Sequence, residues 1–331
     1  MEVLREGERV VVRLGRPHRV VSTLPNPTLI DKVVFVQVGR DYSGCYLDTA
    51  VEVRRELGES TAVFLTAADL KKAFGVVEDG GLRLVGSVSL SPPSCVGTIN
   101  LALFVDQPLS TWGLVDLLRT VAEAKCISVV NRFLKCSGRR SPGTVTDAIL
   151  VGAPADVEET IHFAGFATEV GKRASRLVEK LITELDHFDL FERALGVSKR
   201  EFVEAFAELL KKAPLSAAPE EALVELEKFL KDPNVWAMVL AASELDALGA
   251  AGAIPGLSRE EYEKDTVRIV ADELLGVSLA DYLGGFNAVL TTYWVERVKK
   301  EGGFRELPMF SDDVFSALLA AVYLELYKRR V

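Results

Sequence analysis

The sequence predicts two domains of different class: an N-terminal α/β (or α+β) domain over residues 1–187, then an all-α helical domain over 188–331. Three observations carry this. A chain of 331 residues can bury two separate hydrophobic cores. Up to about residue 160, short runs rich in Val, Ile, Leu, Phe and Thr alternate with helical sequence. Beyond it, only helical periodicity recurs.

In the first half, "KVVFVQVG" (32–39), "TAVFLTA" (61–67), "RLVGSVSLS" (83–91), "TINLALFV" (98–105) and "AILVGAP" (148–154) read as strands, each bounded by Gly, Pro, Asp or Ser. "STWGLVDLLRTVAEAKCISVV" (110–130) has helical spacing, with Ser110 as its N-cap. The linker falls near "ELDHFDLFERALG" (184–196). In the second half, Ser198 with Glu201 and Ser258 with Glu261 are capping boxes. The helix after Ser198 ends before Pro214, and "APEEALVELEKFLKDP" (218–233) stops before Pro233.

Composition narrows the function. With 49% hydrophobic and 26% charged residues the chain is globular rather than disordered. A net charge of −9 argues against nucleic acid as a partner, because a phosphate backbone needs a basic face. A small anionic substrate remains compatible. Cys45, Cys95, Cys126 and Cys136 form no C-x-x-C pair, and His18, His162 and His187 lie far apart, which disfavours a Cys/His zinc site. The four cysteines are expected to be free thiols in a reducing cytoplasm. The start, "MEVLREGERV", has no apolar signal region. No uncharged apolar run reaches the ~18 residues of a membrane-spanning helix; Glu244, Asp246, Asp272 and Asp281 interrupt the longest. Asn and Gln total seven, which suits a protein that works hot. Nothing in the sequence excludes a homo-oligomer.

The acidic residues of the second half stand out. "KDTVRIVADELLGVSLADYLGGFNAVL" (264–290) is apolar nearly all round, so a helix there should be buried, and Asp272, Glu273 and Asp281 with it. A buried carboxylate needs a partner or a proton. Asp265 shares a face with Asp272 if the helix is continuous between them. In "FSDDV" (310–314), Ser311 or Asp312 can cap the following helix, which leaves Asp313 unexplained. Two acidic pairs on two helices offer hard oxygen ligands that suit Mg²⁺ bridging to a phosphate.

The first half gives weaker signals. "GTIN" (97–100) and "GTVTD" (143–147) join a glycine to small polar groups beside an apolar strand, placing Thr144, Thr146 and Asp147 at the mouth of "AILVGAP". Glu123 and Lys125 are two apart on one helix and cannot form the favoured i,i+4 pair. Cys95 is a candidate nucleophile without a neighbouring histidine. The common nucleotide, esterase and zinc-protease motifs are absent.

Resemblance adds to this. "SPPSCVGTINLALFVDQPLSTWGLVDLLRTVAEAKCISVV", then "PGTVTDAILVGAP", then "HFAGFATEVGKRASRLVEKLI" is similar to the adenosylcobinamide amidohydrolase family over roughly 20–185. The resemblance implies hydrolysis of the amide that joins aminopropanol to a corrin ring, with no cofactor assigned. It points to Asn100, Glu123, Lys125, Thr144, Thr146, Asp147, Thr168 and Glu169. For such a reaction Asp147 or Glu123 would be the base, and Asn100, Thr144 or Lys125 the oxyanion donors.

"KDTVRIVADELLG" followed by "FSDDVFSALLAAVY" resembles the phosphatidylglycerophosphatase A family over roughly 190–331, closest to its archaeal α-ribazole phosphate phosphatase branch. The resemblance implies a divalent-metal phosphatase with Asp272, Glu273, Asp312 and Asp313 as metal-binding acids and Asp265 as a weaker companion. The lipid phosphatases carry F-D-x-x-K-P where this chain has "TTYWVERVKKEGGFRELP", which leaves the phosphate-gripping base open among Arg268, Arg297, Lys299, Lys300 and Arg305. The whole chain thus resembles the archaeal bifunctional adenosylcobinamide hydrolase/α-ribazole phosphatases. Their substrates would be a corrinoid and α-ribazole phosphate or cobalamin phosphate. The alternative is a non-catalytic corrinoid-binding module joined to a phosphomonoesterase of other, even lipid, specificity.

Overall fold

The computed structural model describes residues 1–90, 95–213, 215–266, 268–302 and 304–330. The first part comprises β1 (Glu2–Glu6), β2 (Arg9–Ser22), β3 (Leu29–Gln37), α1 (Tyr46–Leu57), β4 (Thr61–Thr66), α2 (Leu70–Ala73), β5 (Phe74–Asp79), β6 (Leu82–Leu90), β7 (Gly97–Val105), α3 (Thr111–Val130), β8 (Lys135–Cys136), β9 (Arg139–Arg140), β10 (Ala148–Pro154) and α4 (Glu169–Leu185). Eight helices follow: α5 (Leu190–Leu195), α6 (Lys199–Leu210), α7 (Glu220–Phe229), α8 (Pro233–Ala251), α9 (Arg259–Glu263), α10 (Ala271–Gly284), α11 (Phe286–Gly302) and α12 (Met309–Lys328). The predicted fold class is the observed one. The chain divides into two compact units, Met1–Leu134 with Ser141–Phe188, and Asp189–Val331 with the small hairpin Lys135–Arg140.

In the first unit the strands form one mixed sheet in the order β4-β3-β2-β10-β7-β6-β5, with β1 on β2. β3 with β4 and β7 with β10 are parallel, and the other pairs antiparallel. The sequence reading missed β1, β2 and β5. In "RVVVRLGRPHRVVS" the arginines, Gly15 and Pro17 hide the strand signal, and β2 changes register between Arg13 and His18. The sheet curls on itself. Phe35 of β3 stacks on Phe64 at 5.1 Å and meets Phe74 of β5, from the far end of the strand order, edge-on at 5.2 Å. The enclosed core also takes Val12, Ile30, Val85 and Phe104. On the opposite face α3 and α4 bury Leu117, Val121, Leu177 and Leu181 against β6, β7 and β10.

In the second unit α12 is the central helix, with Val314, Phe315, Leu318 and Val322 among its buried residues. Both capping boxes form as expected, at Ser198/Glu201 and Ser258/Glu261. Pro214 lies outside the described residues. The expectation of a helix buried on every face fails for 264–290. Asp265 has a left-handed backbone (φ 50°) and lies outside any helix, so it does not share a helical face with Asp272. Within α10 only Asp272 is buried among the three acids; Glu273 and Asp281 are exposed, as are Leu274 and Tyr282, and Phe286 at the start of α11. The cap expected from Ser311 or Asp312 is also absent, because α12 starts earlier, at Met309.

Cysteine chemistry differs from expectation as well. Cys45 and Cys126 are free thiols, whereas Cys95 and Cys136 are disulfide-bonded, which removes Cys95 as a nucleophile. Residues 91–94, the "SPPS" before Cys95, lie outside the described residues. No helix among the described residues is long and apolar enough to cross a membrane.

Candidate functional site

In the first unit the loop 141–147 turns into β10 beside α3, and between them opens a cavity of about 410 Å³. Lys125 and Asp147 line it with Thr23, Cys126, Ser141 and Thr144. The cavity lies at the amino end of β10; the carboxyl-end rule for open parallel sheets does not govern a mixed, curled one.

Asp147 is the anchor. Its Oδ2 accepts from the Lys125 ammonium and from Thr144 N at 3.0 Å. Its Oδ1 accepts from the Thr144 hydroxyl and from Ile99 N at 3.0 Å. Four donors match the four lone-pair positions of a carboxylate, so Asp147 is fixed in place. The two side chains are only 12% and 10% exposed, so the pair is largely dry and its charges act strongly. Gly143 makes this possible. A Cβ there would stand 2.5 Å from the Lys125 Nζ and overlap the Asp147 carboxylate.

The other sequence candidates lie elsewhere. Asn100, 1% exposed, points into the curled sheet, where its Nδ2 donates to the Leu65 carbonyl at 2.8 Å. Thr146 donates to the Gly97 carbonyl at 2.9 Å and meets the Thr98 hydroxyl at 2.8 Å. Glu123 is exposed and paired with Arg119 at 2.9 Å. Thr168 caps α4 by accepting from Gly171 N at 3.0 Å, and Glu169 follows in its first turn. Cys126 and Ser141 were not singled out from sequence, although each adjoins a motif that was.

The second unit holds an acidic centre on α10, α11 and α12. Asp313 is pushed up to about 8, first by burial and then by the charges of Glu296, Asp272, Asp312 and Glu273. Asp272, 4% exposed, is pushed up to about 7 by burial and by Glu273, and its Oδ1 has no hydrogen-bond partner. Burial also raises Asp312, against the pull of Lys299. Gly276 lets the helices meet: a Cβ there would stand 2.8 Å from the Asp313 Cβ. Lys299, 7% exposed, donates to Asp312 Oδ2 at 2.7 Å, Ser316 Oγ at 2.7 Å and Glu296 Oε1 at 3.2 Å.

Glu296 was missed in the sequence, and Lys299 was not distinguished from its basic neighbours. Their E-x-x-K spacing, which puts both side chains on one helical face, was the available signal. Hard carboxylate oxygens and an orphaned buried oxygen fit a divalent cation such as Mg²⁺. Among the described residues, no three His, Cys, Asp or Glu side chains already stand in ligating geometry.

The curled α/β unit, with a dry ammonium–carboxylate pair and hydroxyl donors around a cavity, has the equipment of an enzyme that hydrolyses a neutral polar bond. Residues 1–185 match the family CbiZ, adenosylcobinamide amidohydrolase, and the chain belongs to that family. Its N-terminal part is accordingly an amidohydrolase of cobinamide salvage with a corrinoid substrate. No curated protein matches the chain. Among solved structures, the low temperature requirement C protein from Listeria monocytogenes is similar at 19% identity and a TM-score of 0.36, over 44% of this chain and 99% of that one.

Proposed function

We propose that the Lys125–Asp147–Thr144 set cleaves the amide between aminopropanol and the corrin ring of adenosylcobinamide. The observation that carries this is the convergence of those three side chains on one cavity within the family-matched region. Asp147 uses one of the three Lys125 N–H groups; the others serve the carbonyl oxygen as negative charge develops on it. The Thr144 hydroxyl already donates to Asp147 and relays a proton from the attacking water to that carboxylate. The new C–O bond forms, the proton passes to the leaving nitrogen, and the C–N bond breaks to release aminopropanol and adenosylcobyric acid. Aminopropanol release from adenosylcobinamide by the purified chain tests this. Tight corrinoid binding without release would make the domain a binding module instead.

For the all-α domain we infer a phosphomonoesterase that uses a divalent cation, Mg²⁺ or a similar ion, held among Asp272, Glu273, Asp312 and Asp313. Its substrate would be α-ribazole phosphate or adenosylcobalamin phosphate. The acidic centre supports this reading: the charges of Glu296, Asp272, Asp312 and Glu273 all bear on Asp313, one ammonium pairs with only two of these five acids, and so much like charge is stable only with added protons or a cation. Bound there, the cation would supply Lewis-acid polarisation of a phosphoryl oxygen. Asp272 and Asp313 would hold it, joined by Asp312, which in the absence of a cation pairs with Lys299. Phosphate release from α-ribazole phosphate should stop in excess chelator and in Asp313→Asn; undiminished release in chelator would refute the cation.

A further inference from the structure

We propose that Lys299 is the phosphate-gripping cation of the acidic centre, and that it becomes free to bind phosphate only after Asp312 and Glu296 have turned to a divalent cation. The inference rests on the cation-dependent phosphatase reading above and adds an order of binding to it.

Four of the five basic candidates stand apart from the centre. Arg268 is committed to Glu261 at 2.7 Å and the Gly256 carbonyl at 2.8 Å. Arg305 faces Glu201 at 3.5 Å. Arg297 and Lys300 are exposed, each one residue along α11 from Glu296 and Lys299 and so rotated about 100° away. Lys299 alone is buried among the acids.

As it stands, Lys299 cannot hold a phosphate. An ammonium has three N–H donors, and all three are taken, by Asp312, Ser316 and Glu296. Two of these partners are carboxylates, the groups a hard cation selects. The third is the neutral Ser316 hydroxyl, itself fully buried. When Asp312 and Glu296 swing to a cation, Lys299 keeps its anchor at Ser316 and regains two donors in a dry site. A phosphate oxygen bridging to the cation would meet them there. In the arrangement described, Lys299 draws Asp312 and Glu296 to itself. The second, independent sign of a ligand is Asp272 Oδ1, buried and without a partner beside Asp313.

Calorimetry on the full chain, with Mn²⁺ and inorganic phosphate as probes, tests the order. The wild type should take Mn²⁺ alone, and should take phosphate at least about tenfold more tightly with Mn²⁺ than without it. Lys299→Met should bind Mn²⁺ as well as the wild type or better, since a positive charge is gone, and lose about tenfold or more in phosphate affinity; Lys299→Arg should restore part of it. Ser316→Ala, which keeps the charge and removes the anchor, should weaken phosphate while leaving Mn²⁺ unchanged, and serves if Lys299→Met does not fold. Equal phosphate affinity with and without Mn²⁺, or in wild type and Lys299→Met, would overturn the proposal. So would loss of Mn²⁺ binding in a folded Lys299→Met. A wild type that takes no Mn²⁺ would instead sink the cation reading on which the proposal rests.

Discussion

Asp246, inside α8, accepts the backbone N–H groups of Phe310 and Ser311 at 3.0 Å each and thereby caps α12, a helix sixty-four residues further along. It also accepts from the Ser311 hydroxyl and from Tyr262 Oη at 2.9 Å. The first N–H groups of a helix have no partner within it, and this end is buried, so an acceptor must come from elsewhere. A carboxylate at the positive end of the helix dipole meets both needs. Ser311 and Asp312 are thereby relieved of capping, and Asp312 is left for Lys299.

Asp246→Ala should destabilise the second unit by about 2–4 kcal/mol, since it strips a cap and leaves buried donors unpaired. Thermal or denaturant unfolding of the full chain reads this, and Asp246→Asn should cost less.

The same residue carries a pH signature. Burial raises the Asp246 carboxyl above its ordinary value, so between the two values the folded chain holds a proton that the unfolded chain has released. Its contribution to stability therefore falls as pH climbs through that window and is level beyond it. The melting point of Asp246→Asn relative to wild type should rise with pH from about 4 upward; a constant difference would contradict the assignment.

Asp147→Asn should lower aminopropanol release by about a hundredfold or more, because Thr144 loses its proton acceptor and Lys125 its orienting charge. Glu123→Gln, exposed and paired only with Arg119, should stay within about twofold of wild type. Rates on adenosylcobinamide with both variants folded decide this, and the reverse order would move the base to Glu123.

Asn100→Ala should act on stability rather than on chemistry. The side chain ties β7 to the Leu65 carbonyl of β4 across the curl of the sheet, and its loss should cost about 1–3 kcal/mol. The hydrolysis rate per folded molecule should hold.

Gly276→Ala should destabilise by about 1–3 kcal/mol, as the added methyl forces α10 from the Asp313 backbone. Mn²⁺ affinity should fall with it, because Asp272 and Asp313 are separated by the same movement.

Periodicity and turn chemistry made much of the fold legible. The Ser110 cap, both capping boxes and the strands at 98–105 and 148–154 depend on neighbours within a few residues. β2 was not legible, because its alternation is broken by Gly15 and Pro17. The expectation of burial on every face at 264–290 failed because a run of apolar residues does not say which of its faces finds a partner. Val270, Leu274 and Phe286 remain exposed while Asp272 is buried.

By itself, the sequence determined the order of an α/β and an all-α region, the membership of a family through the spacing of its motifs, and the pairs of acids that mark the second region. Those are properties of local chain and linear pattern. Which groups meet was decided only in three dimensions. Asp147 is closed around by Lys125 and Thr144 while Glu123 faces water, and Lys299 is chosen from among five basic residues. Spacing along a chain limits which side chains can share a face, but burial and distance between elements set charge, donor and acceptor against one another.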